Sequence, residues 1–499
     1  MPPLERDEFA ALARAGHTLI PLTRTLQLDR ETPVSLYQRF SGGRAIFLLE
    51  SAALGEETGR YSFIGLDRRW RVTTRGAETV VEGAEHPGGD QPLAVLRALL
   101  ARYRAPATPD LPDLVAGAVG FVAYDYVRRL ERLPRESDPD PWPDVDFSFP
   151  GAVLVVDHLR HSTTVAVGAE VDGDPDAAFD GATARLDGIV DTLLAEPPAR
   201  DPAVERLVAG APESRSGVDV RAMCAGLSNF TPDAYAEVVA RAKEHIRAGD
   251  VFQVVPSQQF CRPTTVDPLT LYRVLRALNP SPYMYLLDSG DTQIVGASPE
   301  MLVRVAGRTV STRPIAGTRP RGATPAEDAA LEAAMRGDDK ELAEHVMLVD
   351  LGRNDVGRVA VPGSVDVAGL AHVERFSHLM HLVSRVDGTL RDGLDAFDAF
   401  DALFPAGTLT GAPKVRAMEL IDTFETVARG PYGGAVGYVA LNGNADFAIT
   451  IRTLALRGGV ATGQAGGGVV ADSVAESEYL ECLNKATAPL LALHIADPL

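Results

Sequence analysis

The chain has 499 residues, 45% of them hydrophobic, and a formal net charge of −20 at pH 7. This length and composition predict a folded protein of two or three domains. The acidic balance argues against nucleic acid or an anionic membrane as a partner, because both are bound by clustered Lys and Arg. No apolar run reaches the roughly 18 residues of a membrane span, and the first residues lack a signal-peptide pattern, so we expect a cytoplasmic protein.

The N-terminal half predicts helices followed by short antiparallel strands. Thr32 and Pro33 are typical of an N-cap and a first helical position. Residues 45–51 and 60–65 are β-rich and separated by a polar turn, as in an antiparallel sheet. Residues 197–217 are rich in Pro, Ala, Arg and Ser and form the predicted linker. We therefore expect one domain over residues 1–215 and a second over 216–499.

In the C-terminal half, strands and helices come in runs and do not alternate strictly. The predicted elements are a helix ending at Gly249, a strand at 251–260, hairpins over 283–314, an acidic helix over 325–351, a helix near 412–423 and strands at 432–441, 446–456 and 460–465. This order favours an α+β fold with antiparallel sheets flanked by helices.

One heptapeptide pattern occurs in both halves. Gly117-Ala-Val-Gly-Phe-Val-Ala recurs as Gly434-Ala-Val-Gly-Tyr-Val-Ala. Two interpretations stay open: two related sheets, or two strands that need close backbone approach at their glycines.

Three consecutive glycines, Gly466, Gly467 and Gly468, join an apolar strand to an acidic helix. Residues without a Cβ let backbone N–H groups approach an anion, and a following helix N-terminus adds positive potential. Within that helix Glu478, Glu481 and Lys485 lie at offsets of three and four, which places them on one face.

A similar acidic helix is predicted upstream. Glu341 and Glu344 share one face, and Leu342, Val346 and Val349 form the predicted buried stripe. If the two acidic faces meet, their carboxylates suit Mg²⁺, which takes one or two carboxylates and leaves positions for water and substrate. The alternative is two solvated faces with an ordinary Glu481–Lys485 ion pair.

Three further residues have types that suit catalysis or binding. Arg452 lies in an otherwise apolar strand, where a guanidinium binds either a substrate carboxylate or a structural Asp or Glu. His381 is surrounded by apolar residues and is either a core residue or a proton donor or acceptor at a pocket. Glu300 acts as a general acid if burial keeps it protonated. The segment 407–414 lacks phosphate-loop spacing, so we reject that function.

Four long segments carry a family resemblance. They are Pro-Ile-Ala-Gly-Thr-Arg-Pro at 314–320, Lys-Glu-Leu-Ala-Glu-His-Val-Met-Leu-Val-Asp-Leu-Gly-Arg-Asn-Asp at 340–355, Gly-Thr-Leu-Thr-Gly-Ala-Pro-Lys at 407–414 and Gln-Ala-Gly-Gly-Gly-Val-Val-Ala-Asp-Ser at 464–473. In this order they resemble the chorismate-utilising enzymes, most closely the large subunits that form anthranilate. The resemblance implies an α+β fold of two antiparallel β-sheets packed as a sandwich with flanking helices.

The same resemblance implies a reaction and a set of site residues. The reaction is Mg²⁺-dependent amination of chorismate at C2 with loss of the 4-hydroxyl, followed by pyruvate elimination. Glu344 and Glu481 match the metal ligands, with Glu341 and Glu478 beside them. Gly317, Thr318, Tyr432, Arg452, Lys485 and the amides of Gly466, Gly467 and Gly468 match substrate-binding positions. Glu300 matches the acid for the departing hydroxyl, and His381, like Thr318, is assigned to the catalytic group.

Two residues of this chain narrow the activity that the resemblance implies. The resemblance also implies a partner subunit and an inhibitor. Family members that add water carry a lysine where this chain has Gln253, and those that use a covalent lysine carry it where this chain has Ala316. Ammonia is expected from a separate glutamine amidotransferase subunit. Ser51, Pro282, Tyr283 and Met284 resemble a tryptophan feedback site. The alternatives are aminodeoxychorismate or isochorismate formation, and a catalytically silent regulatory subunit.

Overall fold

The computed structural model describes residues 4–52, 59–134, 142–215, 217–322, 324–375 and 379–497. The first half contains strands β1 Leu19–Leu26, β2 Ala45–Glu50, β3 Tyr61–Arg75, β4 Glu78–Glu82, β5 Gly117–Val122, β6 Val145–Asp157 and β7 Ser162–Glu170. Its helices are α1 Arg6–Arg14, α2 Pro33–Gln38, α3 Pro92–Leu100, α4 Pro175–Leu194 and α5 Pro202–Gly210. No helix within the described ranges is long and apolar enough to cross a membrane.

The second half continues the same mixture of elements. Its helices are α6 Val220–Cys224, α7 Pro232–Ala248, α8 Pro268–Leu278, α9 Pro325–Arg336, α10 Asp339–Gly357, α11 Ala396–Leu403, α12 Lys414–Phe424 and α13 Ala475–Ala496. Its strands are β8 Gln253–Val254, β9 Ser257–Pro263, β10 Tyr283–Asp288, β11 Thr292–Ser298, β12 Met301–Ala306, β13 Thr309–Thr312, β14 Ile315–Pro320, β15 Asp366–Arg375, β16 Leu379–Thr389, β17 Gly411–Ala412, β18 Ala435–Ala440, β19 Ala445–Ile449, β20 Thr453–Arg457 and β21 Val460–Gly466.

Many helices begin in the same way, with a Thr or Asp cap followed by Pro. Thr32 at α2 and Thr231 at α7 each accept a hydrogen bond from a backbone N–H of the first turn, and Asp267 does the same at α8. The following Pro has no N–H to leave unsatisfied and its fixed φ suits the first helical position. The capped starts predicted from sequence are confirmed.

The strands form antiparallel sheets with helices outside, as predicted. Among the described residues, antiparallel ladders link nineteen strands into one continuous network, and β8 pairs separately with β17. The two halves share this network, since β2 pairs with β10 and β5 pairs with β18. Between the sheet faces lies a core supplied almost entirely by strands, including Phe47, Phe121 and Tyr285. The domain boundary at residue 215 stays a prediction.

The repeated heptapeptides lie side by side. β5 and β18 pair antiparallel with Gly120 opposite Gly437. A Cβ on Gly120 would stand 2.0 Å from the Asp146 carbonyl oxygen, and one on Gly437 would stand 2.1 Å from the Asp446 carbonyl oxygen. This crowding supports the interpretation that these strands need glycine for close backbone approach.

Two expectations are wrong in detail, and the predicted linker stays a prediction. That segment contains α5, which Asp201 caps and which the Arg273–Glu205 ion pair of 2.7 Å holds against α8. The predicted helix 325–351 is two helices, because α9 ends at Arg336 with Gly337 as its C-cap, and Asp338 accepts the Glu341 N–H to start α10.

The predicted strand 446–456 is also divided. β19 ends at Ile449 and β20 starts at Thr453, with Arg452 at φ 54° between them.

The buried stripe of α10 is displaced from its predicted position. Val346 is 49% exposed, whereas His345 is fully buried and Val349 is 4% exposed. The cause is a polar contact, since His345 Nε2 lies 2.6 Å from Ser384 Oγ on β16. Periodicity of apolar residues alone does not predict a buried histidine on the packed face.

Candidate active site

The glycine turn follows the end of β21, where Gly466 pairs with Ser257 of β9. None of the three glycines has a positive φ, so the chain needs glycine here for space. A Cβ on Gly466 would lie 2.6 Å from the Pro256 carbonyl oxygen and 3.0 Å from the Tyr432 hydroxyl. Helix α13 begins only at Ala475, so its N-terminus does not directly follow the glycines as predicted.

Lys485 on α13 reaches back over this turn. Its Nζ donates to the Gly466 carbonyl at 3.1 Å and forms an ion pair with Glu481 at 2.6 Å. The i, i+4 ion pair predicted from spacing is therefore present, but the contact with Gly466 also fixes the ammonium group at the turn. Tyr432 is buried beside it, and its hydroxyl makes no hydrogen bond to any described residue.

Arg452 lies at the centre of the predicted site residues. Its guanidinium forms no ion pair with any residue in the described ranges, which favours a ligand anion over a structural partner. Burial lowers its pKa, although Tyr432, Glu300 and Glu481 are close enough to oppose that effect. A partly buried cation without an ion-pair partner costs free energy that a bound carboxylate recovers.

Glu300 follows β11 in the short connection to β12 and is 9% exposed. Thr408 Oγ1 donates a 3.0 Å hydrogen bond to its Oε1. Burial raises the pKa of this carboxyl group to about 7, with Lys485 and Arg452 acting in the opposite direction. Glu300 therefore has the protonation state that general acid catalysis near neutral pH requires.

His381 and Gly317 meet across a bulge between β14 and β16. Ala316 pairs with Leu382 and Thr318 with His381, so Gly317 is left over at φ 60°. The His381 Nδ1 lies 3.2 Å from the Gly317 carbonyl, which only accepts, so Nδ1 carries the proton. Burial lowers the His381 pKa, which favours the neutral ring. The Thr318 side chain lies outside the described part of the structure.

The acidic helices approach the site from different sides. α10 packs on β14, β15 and β16, whereas α13 packs on β20, β21, α7 and α8. Glu341 Oε2 lies 3.3 Å from the Cβ position of Gly317, and Glu478 Oε2 lies 3.0 Å from that of Gly467. Glu344 is partly buried and Glu481 has a half-exposed side chain.

Each helix thus brings one carboxylate to a loop that carries predicted substrate residues. Within the described ranges, no group of three or more His, Cys, Asp or Glu side chains is placed to hold a metal.

A buried ion pair below the site was missed in the sequence. Glu425 accepts from the Ser257 N–H at 2.9 Å and from Arg429 Nη2 at 2.6 Å. The Arg429 guanidinium also lies 5.5 Å from the centre of the Tyr432 ring. This pair supports Tyr432 and the strand opposite Gly466. Its only sequence signal is the i, i+4 spacing, which surface pairs share.

The four predicted tryptophan-site residues line one cavity of about 380 Å³. β10 pairs with β2 so that Met284 stands opposite Glu50, which brings Pro282 and Tyr283 next to Ser51. The Tyr283 hydroxyl donates to Asp446 at 3.1 Å, and burial raises the pKa of Asp446 to about 6. No motif in the sequence indicated that Asp446 lines this cavity.

Comparison with known proteins accords with this geometry. The description "chorismate binding enzyme" belongs to the family that matches residues 45–491. The chain therefore belongs to the chorismate binding enzyme family, which confirms the resemblance inferred from its motifs.

Similar relatives share one name, anthranilate synthase component 1. The protein from Acetivibrio thermocellus is 44% identical over 494 residues, 98% of each chain. That from Mycolicibacterium smegmatis is 48% identical over 511 residues, 99% of this chain and 94% of the relative.

Solved structures agree with these relatives. Anthranilate synthase component I from Streptococcus pneumoniae TIGR4 matches with a TM-score of 0.73 and 34% identity, covering 94% of this chain and 99% of that one. The menaquinone-specific isochorismate synthase MenF from Escherichia coli shares the fold, with a TM-score of 0.67 and 18% identity over 97% and 98% of the two chains.

Proposed function

We propose that this chain is the aminating subunit of an anthranilate synthase, which converts chorismate and ammonia to anthranilate, pyruvate and water. The observation that carries the proposal is a buried acid, Glu300, beside two cations, Arg452 and Lys485. Chorismate is a dicarboxylate, so two cations suit its charge. The names of the relatives at 44–48% identity support the same activity.

The residues divide the chemistry between binding and proton transfer. Arg452 and Lys485 bind carboxylate oxygens, and the Tyr432 hydroxyl and N–H groups of the glycine turn donate to them. The Gly467 N–H also donates to the Pro256 carbonyl at 3.3 Å. Glu300 protonates the departing 4-hydroxyl, which leaves as water. A carboxyl group with a pKa of about 7 is roughly half protonated at pH 7, whereas an ordinary glutamic acid is almost wholly ionised. Neutral His381 has an unprotonated Nε2 that accepts a proton in the elimination of pyruvate.

Mg²⁺ is part of the proposal. The donor set consists of hard carboxylate oxygens on two walls, which fits an ion that uses few protein ligands and completes its shell with water and substrate. Glu344 and Glu481 would hold it, with Glu341 and Glu478 nearby. When bound, the ion neutralises substrate charge and orients the ring carboxylate.

The identities of Gln253 and Ala316 favour ammonia as the nucleophile. Gln253 is buried, and its Nε2 lies 2.3 Å from the Cβ position of Gly468. An amide does not act as a general base for water, and alanine forms no covalent intermediate.

We propose that a separate glutamine amidotransferase subunit supplies the ammonia, that tryptophan binds the cavity of Ser51, and that the enzyme works in the cytoplasm.

One assay tests the proposal. The purified chain is incubated with chorismate, Mg²⁺ and ammonium, and anthranilate is followed by its fluorescence. We expect anthranilate with ammonium but not with glutamine alone, and loss of activity in excess EDTA. A non-aromatic amino product would indicate aminodeoxychorismate formation, and a hydroxylated one isochorismate formation. Chorismate binding without turnover would indicate a regulatory subunit.

A further inference from the structure

Two cavities outside the substrate-binding residues lead toward Glu300. The inner cavity, of about 40 Å³, is lined by Glu300, Thr408, Leu351 and Asp355 among mostly apolar neighbours. Because one water needs roughly 10–15 Å³ of such space, two or three waters fit. The outer cavity, of about 710 Å³, is open to the surface. Leu351 and Asp355 line both cavities, so these two side chains form the partition between them.

A buried ion pair stands at this partition. Lys414 Nζ lies 2.7 Å from Asp355 Oδ2 and donates to the Leu403 carbonyl at 3.1 Å. The two side chains are 12% and 9% exposed. The catalytic chemistry described above uses neither residue. A buried ion pair gives little net stability compared with apolar residues of similar size, so its presence between two cavities calls for another explanation.

Glu300 must be protonated again after each turnover, and the partition lies where a proton could reach it. If the proposed function is correct, ammonia forms a C2–N bond, the two ring double bonds shift, and the C4–O bond breaks with its electron pair leaving on the oxygen. That oxygen takes the Glu300 proton and departs as water, so Glu300 becomes a carboxylate. The new ammonium group at C2 gives its surplus proton to water on the substrate side. Glu300 must regain one proton from solvent before the next turnover. With chorismate and its products on the other side, a buried carboxyl group needs a second path to water.

We propose that Asp355, held by Lys414, passes protons from the outer cavity through waters of the inner cavity to Glu300. Asp355 accepts a proton from water in the outer cavity and releases one to water in the inner cavity, and that water protonates Glu300. One proton enters for each leaving hydroxyl, and one proton from the ammonium group at C2 is released to water on the substrate side, so the turnover takes up no net proton. The Thr408 hydroxyl, which donates to Glu300, orients the receiving carboxylate.

The charges around the pair suit this exchange. Burial raises the pKa of Asp355 and lowers that of Lys414, so both neutral forms are more accessible than at the surface. Arg358 and Glu131 act on Lys414 with opposite signs. The other charged residues at the outer cavity are Arg391, Asp398 and Asp401. Glu300 itself faces Thr408, Lys485 and Arg452.

The test is a rapid-mixing experiment with the full chain at pH 7, using chorismate, Mg²⁺ and ammonium. We expect the Asp355→Asn chains whose Glu300 is protonated before mixing, roughly half of them at pH 7, to complete the first turnover at the wild-type rate. Later turnovers should be about tenfold slower or worse, which gives a burst of at most one anthranilate per chain. The solvent deuterium isotope effect should grow in the slow phase only, and the KM for chorismate should not change.

Two further variants separate proton supply from folding. Leu351→Phe fills the partition without removing a charge and should give the same burst. Asp146→Asn removes another buried aspartate, whose Oδ2 lies 2.7 Å from Arg71, and lines neither cavity. It should lower stability without a burst.

The outcomes are distinct. If Asp355→Asn and Leu351→Phe turn over at the wild-type rate, or slow the first turnover as much as the later ones, the proton path is wrong. If the wild-type chain makes no anthranilate at all, the proposed function itself fails.

Discussion

Arg452, between β19 and β20, combines two features that rarely occur together. Its φ of 54° is unfavourable for a residue with a Cβ, by roughly 1–3 kcal/mol, and it is partly buried without an ion pair among the described residues. Such strain persists where the surrounding structure enforces it, often at ligand sites. We therefore infer that Arg452 is kept at this position to bind a ligand, because another residue would make the folded protein more stable.

Replacing Arg452 tests this directly. We expect Arg452→Gln to raise the KM for chorismate roughly 10- to 100-fold, because a charged hydrogen bond to a carboxylate is lost. Its melting temperature should not fall, since no protein partner is left behind. The control is Arg429→Gln, which strands buried Glu425 and should cost about 3–5 kcal/mol of unfolding free energy. A large loss of stability in Arg452→Gln would show that this arginine is structural.

Glu300 gives a second prediction at the same scale. As a general acid it works only while protonated, so kcat should decline as pH rises above about 7, its pKa. Glu300→Gln should lower kcat by roughly 10²–10⁴-fold and remove this decline. A pH profile of kcat for both proteins is the measurement. An unchanged decline in the variant would assign the titration to another group.

The stability of Glu300→Gln should also differ from wild type in a pH-dependent way. The folded pKa of about 7 lies above the ordinary value of 4.5, so the unfolded chain loses this proton first as pH rises. Wild-type stability therefore falls between these two values, by at most roughly 3 kcal/mol. Glu300→Gln lacks that loss. Calorimetry at pH 4.5 and pH 8 should find the variant relatively more stable at the higher pH.

At the scale of elements, the end of β21 should tolerate almost no added atoms. In Gly466→Ala the new methyl group meets the Pro256 carbonyl at 2.6 Å, a backbone atom that moves only with β9. We expect a loss of roughly 1–3 kcal/mol and a large drop in kcat/KM as the turn shifts. Gly463→Ala on the same strand is the control, since its methyl group meets the Leu454 side chain at 3.1 Å. Equal activity in the two variants would contradict this role.

Elements were predictable where local rules decide them. Thr231 before Pro232 predicts a helix start from two neighbouring residues, and the structure confirms it. The division of the strand at Arg452 and the burial of His345 were not predictable, because each depends on residues distant in sequence. The Arg452 carbonyl accepts the Ala297 N–H, and His345 contacts Ser384.

The site itself was predictable only through the family motifs. Spacing placed Glu478, Glu481 and Lys485 on one face, but by itself it favoured an ordinary ion pair over a ligand site. Arg452 has no ion pair among the described residues, and the pKa of Glu300 is raised. Both properties arise because several elements pack around these side chains. Thr408, Asp355 and Lys414 lie in recognised motifs, yet nothing in their order indicated two cavities with a shared wall.

At the scale of the whole molecule, the cavity of Ser51 and Met284 lies where strands of the two halves pair. A ligand there would contact both halves, and β10 continues through β11 to Glu300, so we propose that binding would act on the position of the acid. We expect tryptophan to raise the melting temperature and to inhibit anthranilate formation. Ser51→Phe should abolish both effects and leave uninhibited turnover within about twofold of wild type, because the ring fills the cavity away from the substrate residues. Ser214→Phe, at an exposed serine of the first half, should keep both. Calorimetry with tryptophan and the fluorescence assay measure these effects, and inhibition that survives in Ser51→Phe would place the effector elsewhere.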